Sequence, residues 1–131
     1  MTLLALVLAA ASPSHDPRCH SDQTNDLINC AGAELATADA ALNAVWRKAR
    51  TKAAAQDRDM EAATRAGNGG VTFLQSLLAA QRAWLAYRDA QCRFVTYRNF
   101  GGRELRIYQA GCRANLTQQR VKALKEFIER Q

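Results

Sequence analysis

The sequence predicts an all-α fold, an antiparallel three-helix bundle stapled by two disulfides. Three observations carry that expectation. Apolar and small residues recur at helical spacing through three long segments, glycine-rich breaks separate the segments, and no stretch sustains a two-residue alternation. The 131 residues are 48% hydrophobic, enough for one domain to bury a real core, and the two prolines, Pro13 and Pro17, both precede the helical segments.

The chain opens on a run that reads as a targeting segment. Leu3 to Ala11 is apolar and ends in small residues, and Ala9-Ala10-Ala11 fits signal peptidase cleavage before Ser12. Residues 1–11 are therefore expected to be a signal peptide, although no basic residue precedes the run, and 12–131 a single helical domain. The run is far shorter than the ~20 residues that span a bilayer, so no transmembrane segment is expected. Cys19 follows His15-Asp16-Pro17-Arg18 rather than the short apolar sequence that lipoprotein processing needs. The expected product is exported, periplasmic or secreted, and soluble.

The first helix is expected over about 24–66. Ser21, Asp22, Thr24 and Asn25 offer N-caps, and Leu27, Ala31, Leu35, Ala38, Leu42, Val45 and Ala49 form one stripe in an alanine-rich context. Its far end, KAAAQDRDMEAATRA, is more polar and is a place for the helix to fray or bend. Gly67-Asn68-Gly69-Gly70 breaks the chain, and a second helix is expected over about 72–99. Its stripe holds Leu74, Leu78, Gln81, Leu85, Arg88, Cys92 and Val95, with Leu77 and Trp84 widening the apolar side. After Asn99-Phe100-Gly101-Gly102 a third helix is expected over about 104–129, marked by Leu105, Tyr108, Cys112, Leu116, Val121, Leu124 and Ile128.

Four cysteines in a small exported chain read as two disulfides, with three pairings open. Geometry favours Cys19–Cys30 and Cys92–Cys112. Cys92 and Cys112 each lie roughly 10–15 Å from the second turn at 1.5 Å per residue, hence at similar heights on neighbouring helices. A zinc site would need clustered ligands at short spacing, and only His15, Cys19 and His20 come near it; neither a metal nor a cofactor is expected.

The net charge of +6 is uneven. Residues 12–70 carry seven Lys/Arg against eight Asp/Glu, and residues 71–131 carry eleven against four. An electrostatic partner should therefore prefer the C-terminal half.

Taken together, the residues resemble a known family. The pattern runs from Cys19 and Cys30 through Ala38-Asp39-Ala40-Ala41-Leu42-Asn43 and Trp46 to Gln81-Arg82-Ala83-Trp84-Leu85-Ala86-Tyr87-Arg88-Asp89 and Cys92. Gly101-Gly102, Cys112 and Thr117-Gln118-Gln119-Arg120 with Leu124 complete it. This resembles the lysozyme inhibitor LprI-like N-terminal domain family, small exported bacterial helical proteins, over about Cys19 to Leu124. The resemblance implies a cell-envelope protein in a family named for a member that inhibits lysozyme. That member is a lipoprotein, and its surface anchoring is not carried over.

Two residues of the second stripe need an explanation, because Gln81 and Arg88 fall where a helix should be apolar. An unpaired buried charge costs several kcal/mol, so Arg88 needs an anion, and Asp39 on the first helix is the expected one. Asn43 is the expected companion of Gln81, Arg120 is a second candidate for Asp39, and Asp89 is expected to pair locally with Arg82 or Arg93. A fully buried pair would make Asp39→Ala cost roughly 3–5 kcal/mol. The alternative is that Asp39, Gln81 and Arg88 line a polar groove that binds something. Trp46, Trp84 and Tyr87 read as core or groove wall before they read as a carbohydrate platform.

No enzyme is expected. His15 and His20 lie in the N-terminal segment, the cysteines are spent in bridges, and the acidic knot Asp57, Asp59 and Glu61 reads as solvated surface. Two function classes remain. One is an envelope binding protein with a protein partner, lysozyme inhibition being its most concrete form, with Arg103 or the Asp57–Glu61 region making the contact. The other is a basic module that binds an envelope polyanion, or a structural module without inhibitory activity. Arg93, Arg98, Arg103, Arg106 and Arg113 cluster around the second turn, and Trp84 and Tyr87 lie on the preceding helix as further partner-binding candidates. Lipopolysaccharide phosphate or teichoic acid would suit that cluster; nucleic acid is not the expected partner.

Overall fold

A computed structural model describes residues 16–130, so the signal-peptide reading of residues 1–11 lies outside the described residues, as does His15. Among the described residues the fold is all-helical, with two disulfides and no strand. A 3-10 turn, Pro17–His20, precedes α1 (Thr24–Asp59). A short α2 (Ala62–Gly67), α3 (Phe73–Val95), a second 3-10 turn (Tyr97–Asn99) and α4 (Leu105–Glu129) follow.

The expected first helix over 24–66 is corrected: it ends at Asp59, Met60 is extended at φ −77°, ψ 129°, and α2 is a separate element. The cause is burial. Ala53 is the last buried residue of α1 and α2 has none, so beyond Ala53 helix propensity acts without packing behind it. A tertiary bond then favours the bend, because Asp57 reaches across to the start of α3. Thr72 caps α3 in a reciprocal box: its hydroxyl accepts from the Gln75 amide, and the Gln75 side chain accepts from the Thr72 amide.

Leu42, Val45 and Ala49 of α1 and Val121 and Leu124 of α4 form the core, with Trp46, Leu77, Trp84, Phe127 and Ile128 packed around it. The α1–α4 contact is more extensive than either helix's contact with α3. Small side chains explain this, since Ala31, Ala38, Ala49, Ala53 and Ala114 are all buried and let the backbones approach closely. Along α1 the partners on α3 and α4 run in opposite order. Asp39 meets Arg88 and Asp57 meets Phe73, while Glu34 shares a groove with Asn115 and Lys52 meets Phe127.

The disulfides join Cys19 to Cys30, with Cα atoms 5.2 Å apart, and Cys92 to Cys112, at 5.7 Å. The first folds the N-terminal turn onto α1; the second ties α3 to α4 near the turn between them.

Candidate functional site

Two places gather the unusual side chains. The first is a polar clasp across α1, α3 and α4. Arg88, whose side chain is 13% exposed, donates from one terminal nitrogen (Nη1) to Asp39 Oδ1 and to Thr117 Oγ1, both at 3.2 Å. Its Nε donates to Asp89 Oδ1 at 3.1 Å, and Arg113 lies 3.5 Å from the same oxygen. Arg120 donates from Nε to Gln81 Oε1 at 2.9 Å. Both guanidinium carbons lie near the Trp84 ring, at 5.4 Å for Arg88 and 5.8 Å for Arg120, within cation–π range. Burial pushes the Arg120 guanidinium down from its ordinary value.

Several expected pairings are corrected by this geometry. The Arg88–Asp39 pair itself forms, through a single nitrogen, and the Asp39 side chain stays 45% exposed. Asn43 is exposed on the wall of the α1–α3 groove, and Arg120 rather than Asn43 takes the Gln81 oxygen. Arg120 therefore serves Gln81, not Asp39. Asp89 turns to Arg88 and Arg113 in place of Arg82 or Arg93. Reach explains the contacts made from α4: the long guanidinium arms of Arg113 and Arg120 cross the interface, where the short Asn43 amide makes no such contact. Trp84 packs against the core, while Tyr87 is 54% exposed.

The second place is the turn from Tyr97 to Glu104. Gly101 has φ +85°, a left-handed value that favours glycine, and a Cβ on Gly102 would stand 3.1 Å from the Asn99 carbonyl oxygen. The two glycines thus serve the turn itself. Arg98, Asn99, Phe100, Arg103 and Leu105 line a shallow groove there of about 370 Å³. Arg98, Arg103 and Arg106 are all exposed, and Phe100 is 48% exposed.

The structural roles of three residues were not apparent from the sequence. Thr117 is fully buried and completes the clasp; its place three residues after Ala114 and four before Val121 was the available signal. Asp57 is not idle surface: its two oxygens accept from the amides of Phe73 (2.6 Å) and Leu74 (3.0 Å). Those amide bonds, led by Leu74, hold its carboxyl below the ordinary value. Lys52 donates from Nζ to the carbonyls of Phe127 (2.9 Å), Ile128 (2.8 Å) and Arg130, closing the C-terminal end of α4. Nothing in the side-chain pattern marked the roles of Asp57 and Lys52, because their partners are backbone groups.

Among the described residues, one trio of potential metal ligands falls together, Cys19, Cys30 and Glu34, but both sulfurs are already joined to each other. No helix among the described residues is long and apolar enough to cross a membrane.

Fold and site define a small disulfide-stapled helical protein with a polar clasp inside and a basic aromatic turn outside. The chain belongs to the family described as Lysozyme inhibitor LprI, whose model matches residues 17–124. It is similar to "Uncharacterized protein R02472" of Rhizobium meliloti (strain 1021), at 34% identity over 131 residues, covering 96% of this chain and 92% of that protein. No solved structure matches.

Proposed function

We propose that this chain is an exported envelope binding protein on an antiparallel three-helix bundle, and that it inhibits lysozyme through the turn between α3 and α4. Family membership suggests the activity, and two disulfides suit an oxidising, extracytoplasmic setting. The observation that carries the choice of surface is the turn itself, where exposed Arg98 and Arg103 stand beside half-exposed Phe100. A lysozyme cleft holds two carboxylates across the bond it cleaves. A guanidinium entering that cleft gains charge-assisted hydrogen bonds, and an aromatic ring fills the adjoining apolar wall. On this reading the protein performs no catalysis; the clasp of Asp39, Gln81, Arg88, Thr117 and Arg120 fixes helix register so that the turn is presented rigidly.

The Asp57–Glu61 region loses ground as the alternative contact, since Asp57 is engaged by α3. A lysis assay with excess oxidised protein tests the proposal. Inhibition should fall at least tenfold in Arg103→Glu, and lysis rates unaltered by the native protein across lysozyme classes would end it.

A second reading rests on the same cluster of Arg93, Arg98, Arg103 and Arg106, all exposed. They would bind an envelope polyanion such as lipopolysaccharide phosphate. Salt separates the two. Polyanion binding weakens steeply as salt rises, whereas a contact with a basic lysozyme is opposed by long-range repulsion that salt relieves.

A further inference from the structure

Helix α3 packs Leu77, Trp84 and Cys92 inward, yet it also carries large aromatic side chains on its outer face. Its buried residues are Gln81 and Cys92, whereas Tyr87 and Phe94 are 54% and 74% exposed, and Tyr97 just beyond its end is 75% exposed. Ala83, Tyr87, Ala90 and Phe94 follow one another at steps of four, three and four, which places them on one helical face, and all four are exposed. Tyr97 extends the line into the 3-10 turn. From Ala83 to Tyr97 the stripe spans about 21 Å at 1.5 Å per residue. Helical register puts Arg82 and Arg93 on one flank, and Arg98 stands at the end. The one carboxylate of this helix, Asp89, is engaged by Arg88 and Arg113.

We infer that this outward face of α3 docks on the surface of an anionic phospholipid bilayer, with Tyr87, Phe94 and Tyr97 entering the headgroup boundary and Arg82, Arg93 and Arg98 meeting the phosphates. The aromatic residues are the kind that settle at that boundary, one end apolar and, for tyrosine, the other wet. Basic residues beside them supply the attraction to anionic lipid. Charge chooses this occupant. A second copy would press Arg82, Arg93 and Arg98 towards their own counterparts, whereas these exposed cations are complementary to an anionic leaflet. Shape agrees, because the stripe lies along a helix side and offers a line of contact to a flat surface. The inference deepens the polyanion reading by naming the partner; its electrostatic part rests on that reading, and its aromatic part stands independently.

Co-sedimentation of the oxidised full chain with phosphatidylglycerol-containing vesicles, against phosphatidylcholine vesicles and soluble polyphosphate, tests it. Binding should be at least tenfold tighter to the anionic vesicles. The double variant Phe94→Ser/Tyr97→Ser should lose about tenfold in vesicle binding, from the apolar burial forfeited, while its polyphosphate binding and helical content stay unchanged. Arg93→Glu should weaken binding to both probes. Equal binding to both vesicle types, or a double variant that still binds like the native chain, overturns the inference. Binding to polyphosphate with none to vesicles also overturns it but leaves the polyanion reading standing. Vesicle binding lost in the double variant, with no affinity for polyphosphate, supports the docking face and sinks the general polyanion reading.

Discussion

At one end of the molecule two disulfides hold the N-terminal turn to α1 and α3 to α4, whereas at the other end the last turns of α1 hold both neighbours by charge. There the partners are helix dipoles. The Asp57 carboxylate sits on the amide-rich start of α3, and the Lys52 ammonium sits on the carbonyl-rich finish of α4. Phe73 and Phe127 stack beside them with ring centres 5.5 Å apart, and Lys52 lies 5.3 Å from the Phe127 centre. Covalent staples constrain the unfolded chain as well as the native one, while charge–dipole contacts act only once all three helices are in place. The crosslinked end also carries exposed Arg98, Arg103 and Arg106 together with Phe94, Tyr97 and Phe100. A surface that leaves so much apolar area uncovered needs fixed geometry beneath it, and the disulfide between α3 and α4 supplies it.

The comparison breaks most visibly at the sulfurs. Replacing Cys92 and Cys112 by alanine should cost about 3 kcal/mol on the loop-closure account, read as a lower midpoint in urea unfolding. Cys92 is fully buried, so the same variant also loses core packing. At the opposite end, Lys52→Met should cost about 1–2 kcal/mol, since three carbonyls lose a charged donor. Hydrogen exchange should then quicken in the last turn of α4 and remain unchanged around Cys112.

Between the ends, Asp39→Ala should cost only about 1 kcal/mol, well below the figure for a fully buried pair, because its side chain is 45% exposed and singly bonded. Thermal unfolding of that variant beside Arg88→Ala separates the partners. The arginine, at 13% side-chain exposure, should be the costlier loss.

Acid sharpens the contrast further. A carboxyl held below its ordinary value in the folded state adds stability that is complete above the ordinary carboxylate range and disappears as pH falls through the folded value. Asp57 is such a group, so Asp57→Asn should flatten part of the stability loss in an acid titration. The Cys92/Cys112 double variant should keep the native slope. Smallest of all, Arg103→Glu should move stability by no more than about 0.5 kcal/mol, which leaves any loss of inhibition attributable to binding.

Much of the helical pattern was legible because burial follows period. Ala31, Ala38, Leu42, Val45 and Ala49 lie on the expected stripe of α1 and are all buried. Leu85 and Val95 of the expected α3 stripe are instead 38% and 52% exposed, and Tyr108 of α4 is 46% exposed. Periodicity reports which face could be apolar, and α3 and α4 leave part of that face uncovered. The clasp was half legible. Polar residues on an apolar stripe announced that Gln81 and Arg88 needed partners, but choosing among Asn43, Asp39, Arg120 and Thr117 depends on side-chain reach across two interfaces.

Local chemistry alone accounts for helices where alanine and stripe spacing favour them, for breaks at the glycine clusters, and for a cysteine set able to form two bridges. Where α1 stops, what Asp57 and Lys52 hold, and which aromatic rings remain outside follow from how the helices pack together. The Asp57 and Lys52 contacts depend on backbone amides and carbonyls at helix ends, groups every residue carries alike. A side-chain pattern therefore cannot mark them until the helices have come together.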